Sequence, residues 1–349
     1  MREGCAELPK VTGDAVAIQP IEMSSMFNRY LGGTVLSLAA LLGPSVHAQE
    51  AIRAWNIHSE GLPITVAMES FASTVNAATG GKYKLTVFNN GSLGDQPKAV
   101  KMLQSGELDV AGFNFAPLSE FAPSTKVLNV PFLFRDSKHM FSHLDGKMGE
   151  RFSEQLKASG FVVLGWYDGG GRSFYCKGTP INHVRDLAGL RIRVQSSGVF
   201  FEMTELLGGK PVSVPFKDVY AAFEKDEIDC AENNMSSFES TGHFKLAQNV
   251  YLTNHVVTPE VLVVSSKLWS KLSPEEKKIF SDVGKQSALL MRDLWNKRTA
   301  QALETVKKAG VNVVQVRDSG AMIVRMKPLY ARYMNNPETR GDLLTILAN

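Results

Sequence analysis

The sequence predicts an α/β fold made of two successive units, and three observations carry that prediction. Short apolar or alternating runs are separated by runs with apolar residues three and four apart. That order builds a mostly parallel sheet with helices on its faces. The pattern starts again near residue 144. From Ser273 to Ala309 the chain has no proline after Pro274 and one internal glycine, Gly284. A helix over that stretch would run roughly 50 Å, long enough to brace both units; a break at Gly284 is the alternative.

The elements follow in order. Residues 51–58 alternate loosely as a first strand. Residues 64–78 put Ile64, Ala67, Met68, Phe71 and Val75 on one helical face, and Gly80-Gly81 stops the helix. Residues 83–88 alternate as a second strand, followed by the turn Asn89-Asn90-Gly91. Residues 95–105 read as a helix and 108–115 as a third strand. In the second unit, 144–158 is helical and 161–166 is a buried strand. Residues 172–177 and 190–194 are strands, 198–207 and 217–224 helices, 227–231 a short strand and 256–265 a strong one. Crossovers between the units are expected near 168–172 and 256–266. Ser273-Pro274-Glu275-Glu276 supplies a cap, a proline at the first helical position and acids in the first turn.

The N-terminal region reads as a targeting segment. Met26-Phe27-Asn28-Arg29 opens it with one positive charge. Residues 31–42 are apolar and too short to span a bilayer. Val46-His47-Ala48 fits a small-x-small cleavage site. Residues 1–25 carry Glu3, Glu7, Asp14 and Glu22, which do not suit a signal peptide, so translation is expected to begin at Met23 or Met26. Cleavage removes three basic and four acidic residues of the 38 and 35, leaving 35 against 31, or +4. That mild balance, with no basic run, argues against nucleic acid or an anionic membrane as partner. Neither direct membrane insertion nor a cofactor is expected. No Cys-x-x-Cys appears, and no metal site is expected. Cys176 and Cys230 remain. An oxidising compartment would let them pair, but sequence fixes no Cα separation, and the pairing stays open.

The chemistry concentrates between Gly169 and Glu239. Arg172 and Arg193 each lie in a strand-like run, followed by Asp229-Cys230-Ala231-Glu232-Asn233-Asn234. An arginine fork matches a carboxylate with two charge-assisted hydrogen bonds, and a nearby amide both donates and accepts. Strand alternation puts Arg191 and Arg193 on one face. Ligands of open α/β sheets sit beyond the carboxyl ends of strands, which favours Arg193.

These words, in this order, resemble the solute-binding proteins of TRAP (tripartite ATP-independent periplasmic) transporters over nearly all of residues 50–335. The matching words are Asn89-Asn90-Gly91-Ser92-Leu93-Gly94, Leu103-Gln104-Ser105-Gly106-Glu107-Leu108-Asp109 and Pro131-Phe132-Leu133-Phe134. They continue with Asp186-Leu187-Ala188-Gly189-Leu190-Arg191-Ile192-Arg193-Val194, Pro215-Phe216-Lys217-Asp218-Val219-Tyr220 and Ile228-Asp229-Cys230-Ala231-Glu232-Asn233. The resemblance implies a two-lobe periplasmic-binding-protein fold of type II-like form, with crossing hinge strands and a long helix bracing both lobes. Lobe I would comprise 49–169 plus about 259–298, and lobe II 170–258 plus about 299–349. It also implies no catalysis, and delivery of an organic acid to TRAP permease subunits in the membrane. By the same resemblance Arg193 clamps the carboxylate, Arg172 is a second arginine near it, Phe216 packs on the ligand and Asn233 contacts it.

The segment Asn233 to His243 resembles the version found in sugar-acid binders, especially those for glucuronate and galacturonate. For the hydroxyls of such a ligand, His58, Glu60, Asn89, Asn114, Asp168 and Asn234 are candidates because each sits at or near a strand end. Glu232 either orients Asn233 or pairs with Arg172. Glu239 and His243, four apart, read as a solvated helix face. Other ligands weighed are a C4-dicarboxylate, an amino acid or an aromatic acid, the last with Phe113 and Phe115 lining an apolar pocket. A periplasmic hydrolase is disfavoured because no Gly-x-Ser-x-Gly elbow occurs. A ligand-sensor component keeps the same binding chemistry.

Overall fold

The computed structural model describes residues 49–178, 181–315 and 319–349; the proposed start site and signal peptide lie outside them. The strands are β1 (Glu50–Asn56), β2 (Tyr83–Phe88), β3 (Val110–Asn114), β4 (Phe161–Cys176), β5 (Arg191–Val194), β6 (Lys210–Ser213), β7 (Cys230–Asn234), β8 (Asn249–Ser265) and β9 (Asn312–Gln315). The helices are α1 (Pro63–Ala78), α2 (Gln96–Ser105), α3 (Phe115–Ser119), α4 (Ser137–Leu144), α5 (Lys147–Ala158), α6 (Gly198–Leu206) and α7 (Val219–Glu224). They continue with α8 (Met235–Ser240), α9 (Ser266–Lys271), α10 (Pro274–Lys308), α11 (Ser319–Arg325), α12 (Lys327–Asn335) and α13 (Pro337–Leu347).

Among the described residues the strands form one mixed sheet in the order β2-β1-β3-β8-β4-β7-β5-β6, with β9 on β8. The halves β2-β1-β3 and β7-β5-β6 are internally parallel, as the alternation of strands and helices predicts. Two long strands join them. β4 and β8, 16 and 17 residues, run antiparallel along their length. β8 pairs β3 at one end and β9 at the other, and β4 pairs β7 at its far end. The sequence reads β4 as two strands, 161–166 and 172–177, on either side of Gly169-Gly170-Gly171. In the structure those glycines form a bulge within one strand. A Cβ on Gly169 would sit 2.5 Å from the Thr258 carbonyl oxygen, and Gly170 has φ +70° with Trp295 of α10 packed on it. Glycine is what such an approach tolerates.

α10 is one unbroken helix of 35 residues, started by a capping box in which Ser273 and Glu276 exchange side-chain and backbone hydrogen bonds. Gly284 does not break it. A Cβ there would meet Leu164 Cβ at 2.6 Å, and one on Gly165 would meet the Gly284 carbonyl oxygen at 2.8 Å, so the glycines let helix and strand touch. The first part of α10 packs Phe280 on Phe71 and Tyr83 and bonds Ser287 to the Ala67 carbonyl. Its last part meets α8 through Ser236–Thr299 and Arg298–Glu239 and buries Ala302 and Val306. The helix therefore braces both halves.

Other boundaries move. The expected helix 144–158 is α4 and α5, separated at Asp145-Gly146, and the strand expected at 227–231 lies at β7. Residues 299–349, expected with one lobe, touch both halves: Asp342 pairs with Arg151 and Arg135 donates to the Asn349 carbonyl, while Arg332 pairs with Glu202 and Arg325 donates to the Leu207 carbonyl.

Cys176 and Cys230 stand directly opposite across β4 and β7 and are joined by a disulfide. The bond closes a loop of 54 residues that contains Arg193. By loop entropy it adds about 4 kcal/mol. Urea unfolding with and without a reductant is expected to differ by an amount of that order, and the Cys176→Ala, Cys230→Ala protein should match the reduced wild type.

Candidate ligand-binding cleft

A cleft opens where the carboxyl ends of β1, β3, β5 and β7 converge, the expected place for a ligand in such a sheet. β1 runs out into Ile57 and His58, and β3 into Asn114. β5 runs out into Gln195 and Ser196, and β7 ends on Asn233 and Asn234. Arg172 comes from β4, Arg193 from β5, and Phe216 from the turn before α7. Seven of the ten predicted residues thus come together: Arg193, Arg172, Asn233, Phe216, His58, Asn234 and Asn114.

Three do not. Asp168 is buried in the β4 bulge, where its Oδ1 accepts from Ser137 Oγ at 2.9 Å and from the Gly170 amide at 2.8 Å; it staples the bulge. Burial raises the pKa of this carboxyl, against the hydrogen bonds that lower it. Glu60 is exposed in the turn before α1. Asn89 belongs to the turn after β2, its carbonyl accepting from the Ser92 amide. For these the signal was proximity to a strand end, which does not say which way the side chain turns.

The two arginines differ in what they hold. Arg172, 1% exposed, spends its guanidinium on the protein. Nε and Nη2 reach Glu232 Oε2 and Oε1 at 2.6 and 2.9 Å, and Nη1 reaches Asn233 Oδ1 at 2.7 Å. Burial opposes ionisation of Glu232 most strongly, but the Arg172 charge and hydrogen bonds together with His255 outweigh it and hold the carboxyl below its usual range. Arg193 is 4% exposed. Its Nε donates to the Val214 carbonyl at 2.9 Å, its guanidinium lies 5.9 Å from the Phe216 ring centroid, and among the described residues no carboxylate pairs with it. Burial lowers its pKa, yet arginine stays protonated in proteins. Arg191, two residues earlier, is instead partly exposed and paired with Asp229.

Amides knit the walls. Oriented by its neighbours, Gln195 donates to Asn114 Oδ1 at 2.7 Å and accepts from Arg172 Nη1 and Nη2 at 3.0 Å. Gln96 bonds both backbone groups of Asn114. Asn234 caps α8 through the Ser237 amide and donates to the Gly169 carbonyl. Beside the cleft, Glu120 Oε1 accepts from the Gly198 amide at 2.8 Å and Ser197 Oγ at 3.1 Å, a carboxylate at the start of α6. His243 is buried, not on a solvated face. It pairs with Tyr175 at 2.9 Å, and burial, then Arg193, pushes its pKa down to about 3. Glu239 pairs with Arg298.

Sequence reasoning did not single out Gln195, Gln96 or Glu260. Gln195 lies two residues past Arg193 on the same strand direction, a signal that was there to use. Glu260 joins His58 from 202 residues away, and nothing local marks it. Apart from the cleft, His139 and His143, one turn apart on α4, meet Nε2 to Nε2 at 3.2 Å, a spacing the sequence reading passed over. Among the described residues no three ligating side chains cluster as for a metal.

Comparison with known proteins agrees with this geometry. The family model described as bacterial extracellular solute-binding protein, family 7, matches residues 56–336. A solute-binding protein of Chromohalobacter salexigens is 34% identical over 293 residues, 84% of this chain and 87% of that one. A TRAP periplasmic solute-binding protein of Roseobacter denitrificans, solved with bound β-D-glucuronate, superposes with TM-score 0.84 at 39% identity over 86% of this chain and 100% of that one. Another from a Sulfitobacter species, solved with β-D-galacturonate, gives TM-score 0.82 at 36% identity over 85% and 99%.

Proposed function

This chain belongs to family 7 of the bacterial extracellular solute-binding proteins, and from that premise we propose that it captures a hexuronate, glucuronate or galacturonate, for a TRAP permease. Residues 26–48 would direct export, and capture would take place in the periplasm without chemical change to the ligand. No helix among the described residues is long and apolar enough to cross a membrane; delivery falls to the permease subunits. The two lobes, taken as 49–169 plus about 259–298 and 170–258 plus about 299–349, with that last segment also contacting the first lobe, would close on the ligand.

The observation that carries the reading is how the two arginines of the cleft are paired; the carboxylate in the lining, Asp95, is half-buried and caps α2 through the Lys98 amide. Arg172 is neutralised by Glu232, whereas Arg193 has no carboxylate partner among the described residues. One unpaired buried cation calls for one carboxylate. A C4-dicarboxylate would bring a second anion with no counterion, which costs several kcal/mol in a closed site. The remaining wall offers His58, Gln96, Asn114, Gln195, Asn233, Asn234 and Ser237, a set suited to hydroxyls. An aromatic acid finds little support: Phe113 and Phe115 pack in the core against Trp55 and Trp166, leaving Phe216 as the aromatic carbocycle of the lining. The uronate-bound structures named above support the same ligand class.

Thermal-shift measurements test this. D-Glucuronate or D-galacturonate at 100 times Kd should stabilise the protein by about 2.7 kcal/mol and be recovered unchanged. Glucose, which lacks the carboxylate, and succinate, which has two, should produce no shift. A larger shift with succinate than with either uronate would overturn the reading.

A further inference from the structure

We infer that Glu260 is the positioning residue that makes His58 a reader of one ligand hydroxyl: Glu260 holds the proton on Nε2 and leaves Nδ1 to accept an O–H from the bound sugar acid. The inference rests on the proposed class of hydroxylated ligand and goes further, to a named atom. His58 follows β1 at the cleft wall and is 4% exposed. Its backbone amide donates to Asn56 Oδ1 at 2.8 Å, which fixes the start of the turn. Nε2 lies 3.0 and 3.1 Å from the two oxygens of Glu260.

Glu260 is fully buried on the crossing strand β8. There it stands between Asn114 of β3 and Tyr167 of β4 in the sheet register, so the strand that joins the halves carries the carboxylate beneath the cleft. An ionised carboxylate only accepts. Both of its oxygens sit at nearly the same distance from one nitrogen, as when a single N–H is shared between them. Nε2 is therefore the donor, and a neutral ring then has a bare Nδ1.

Nδ1 is buried and has no partner. Trp55 Nε1, Asn56 Nδ2 and Gln155 Oε1 share that condition among the described residues, and His255 Nε2 makes no hydrogen bond though it lies 3.5 Å from Glu232 Oε2, but none of those residues lines the cleft. A buried acceptor left unpaired is costly, and in a native structure it calls for a partner. A ligand hydroxyl supplies one. The Phe216 ring, 6.4 Å from the imidazole, and the Arg193 guanidinium beside that ring place the carboxylate clamp and the hydroxyl reader within one lining. A site built around a hydroxyl discriminates against an analogue lacking it, because the site's own group is then stranded.

Two measurements decide. Nitrogen-15 NMR of the histidine side chains in the wild-type protein should show His58 protonated at Nε2 and bare at Nδ1, with the Nδ1 signal moving when D-glucuronate is added. In Glu260→Gln the amide can donate to Nε2 and drive the proton to Nδ1, so Kd for D-glucuronate should rise about tenfold, the size of one hydrogen bond. Glu260→Asp, which keeps an accepting carboxylate, should restore part of that loss. A proton on Nδ1 of the wild-type ring, or a folded Glu260→Gln protein with Kd within twofold of wild type, overturns the inference. If Glu260→Gln does not fold, the wild-type spectrum still decides. A wild-type protein that binds neither uronate sinks the ligand reading instead, an outcome the tautomer measurement on the free protein keeps separate.

Discussion

Arg193→Ala is expected to abolish measurable uronate binding in calorimetry, while Arg191→Ala leaves Kd within about twofold. Removing one partner of a buried charge pair costs about 3–5 kcal/mol, which is roughly two to four orders of magnitude in affinity. The cost arises because the ligand carboxylate would lose its water in the cleft and meet no countercharge: Arg172 is already held by Glu232 and Asn233. Arg193→Lys should recover only part of the loss, since an ammonium cannot form the two-pronged contact. The same residue should behave oppositely in the empty protein. Without ligand, Arg193 is a buried cation with a carbonyl and a ring for company, so ligand-free Arg193→Met should melt at or above the temperature of ligand-free wild type. Retained micromolar uronate affinity in Arg193→Ala would remove this residue from the clamp.

That pair of arginines shows how far the sequence could be read. Strand alternation puts Arg191 and Arg193 on one face, and position along the strand separates them: Arg191 starts β5 at the solvent edge and pairs with Asp229, while Arg193 sits inside the cleft. Residues at strand ends were found because the sheet brings carboxyl ends together. His58, Asn114, Asn233 and Asn234 are of this kind. Asp168, Glu60 and Asn89 share the same local signal but turn into the hinge, the solvent and a turn. Partners far apart in sequence, Glu260 with His58 and Glu232 with His255 at 3.5 Å, are set by strand register, which no short window contains.

The fold was legible where periodicity was long. α1, β2 and the 35-residue α10 lie within a residue or two of their expected limits. Glycines misled in both directions. Gly284 offered a possible break but marks a helix–strand contact, and Gly169 to Gly171, lying between two expected strands, bulge a single one. Short elements with little apolar content, such as β6 and β9, leave no periodic trace. The disulfide depended on the register of β4 against β7, again a property of the assembled sheet.

Mild acid should destabilise this protein steeply, and histidines give the reason. His139, His143, His243 and His255 are all buried, and burial lowers the pKa of each. In the unfolded chain they take up protons near pH 6.5. Below that pH the unfolded state binds more protons than the native one, so stability falls as pH falls and is fully present above pH 6.5. Each histidine contributes a slope of about 1.4 kcal/mol per pH unit until its own native pKa is reached. For His243, held down to about 3, that window extends from 6.5 to about 3 and totals about 5 kcal/mol. Asp168, whose carboxyl is raised by burial, works the other way at the acid end. Urea unfolding at steps between pH 7.5 and 5 should show the slope, and His243→Gln should reduce it by about 1.4 kcal/mol per pH unit. Arg193 is the second cause of the His243 shift, after burial. A bound carboxylate neutralises that charge and should raise the His243 pKa, so the loaded protein should lose stability less steeply at the acid end than ligand mass action alone accounts for. A flat profile between pH 7 and 5, or a His243→Gln profile parallel to wild type, would refute the assignment.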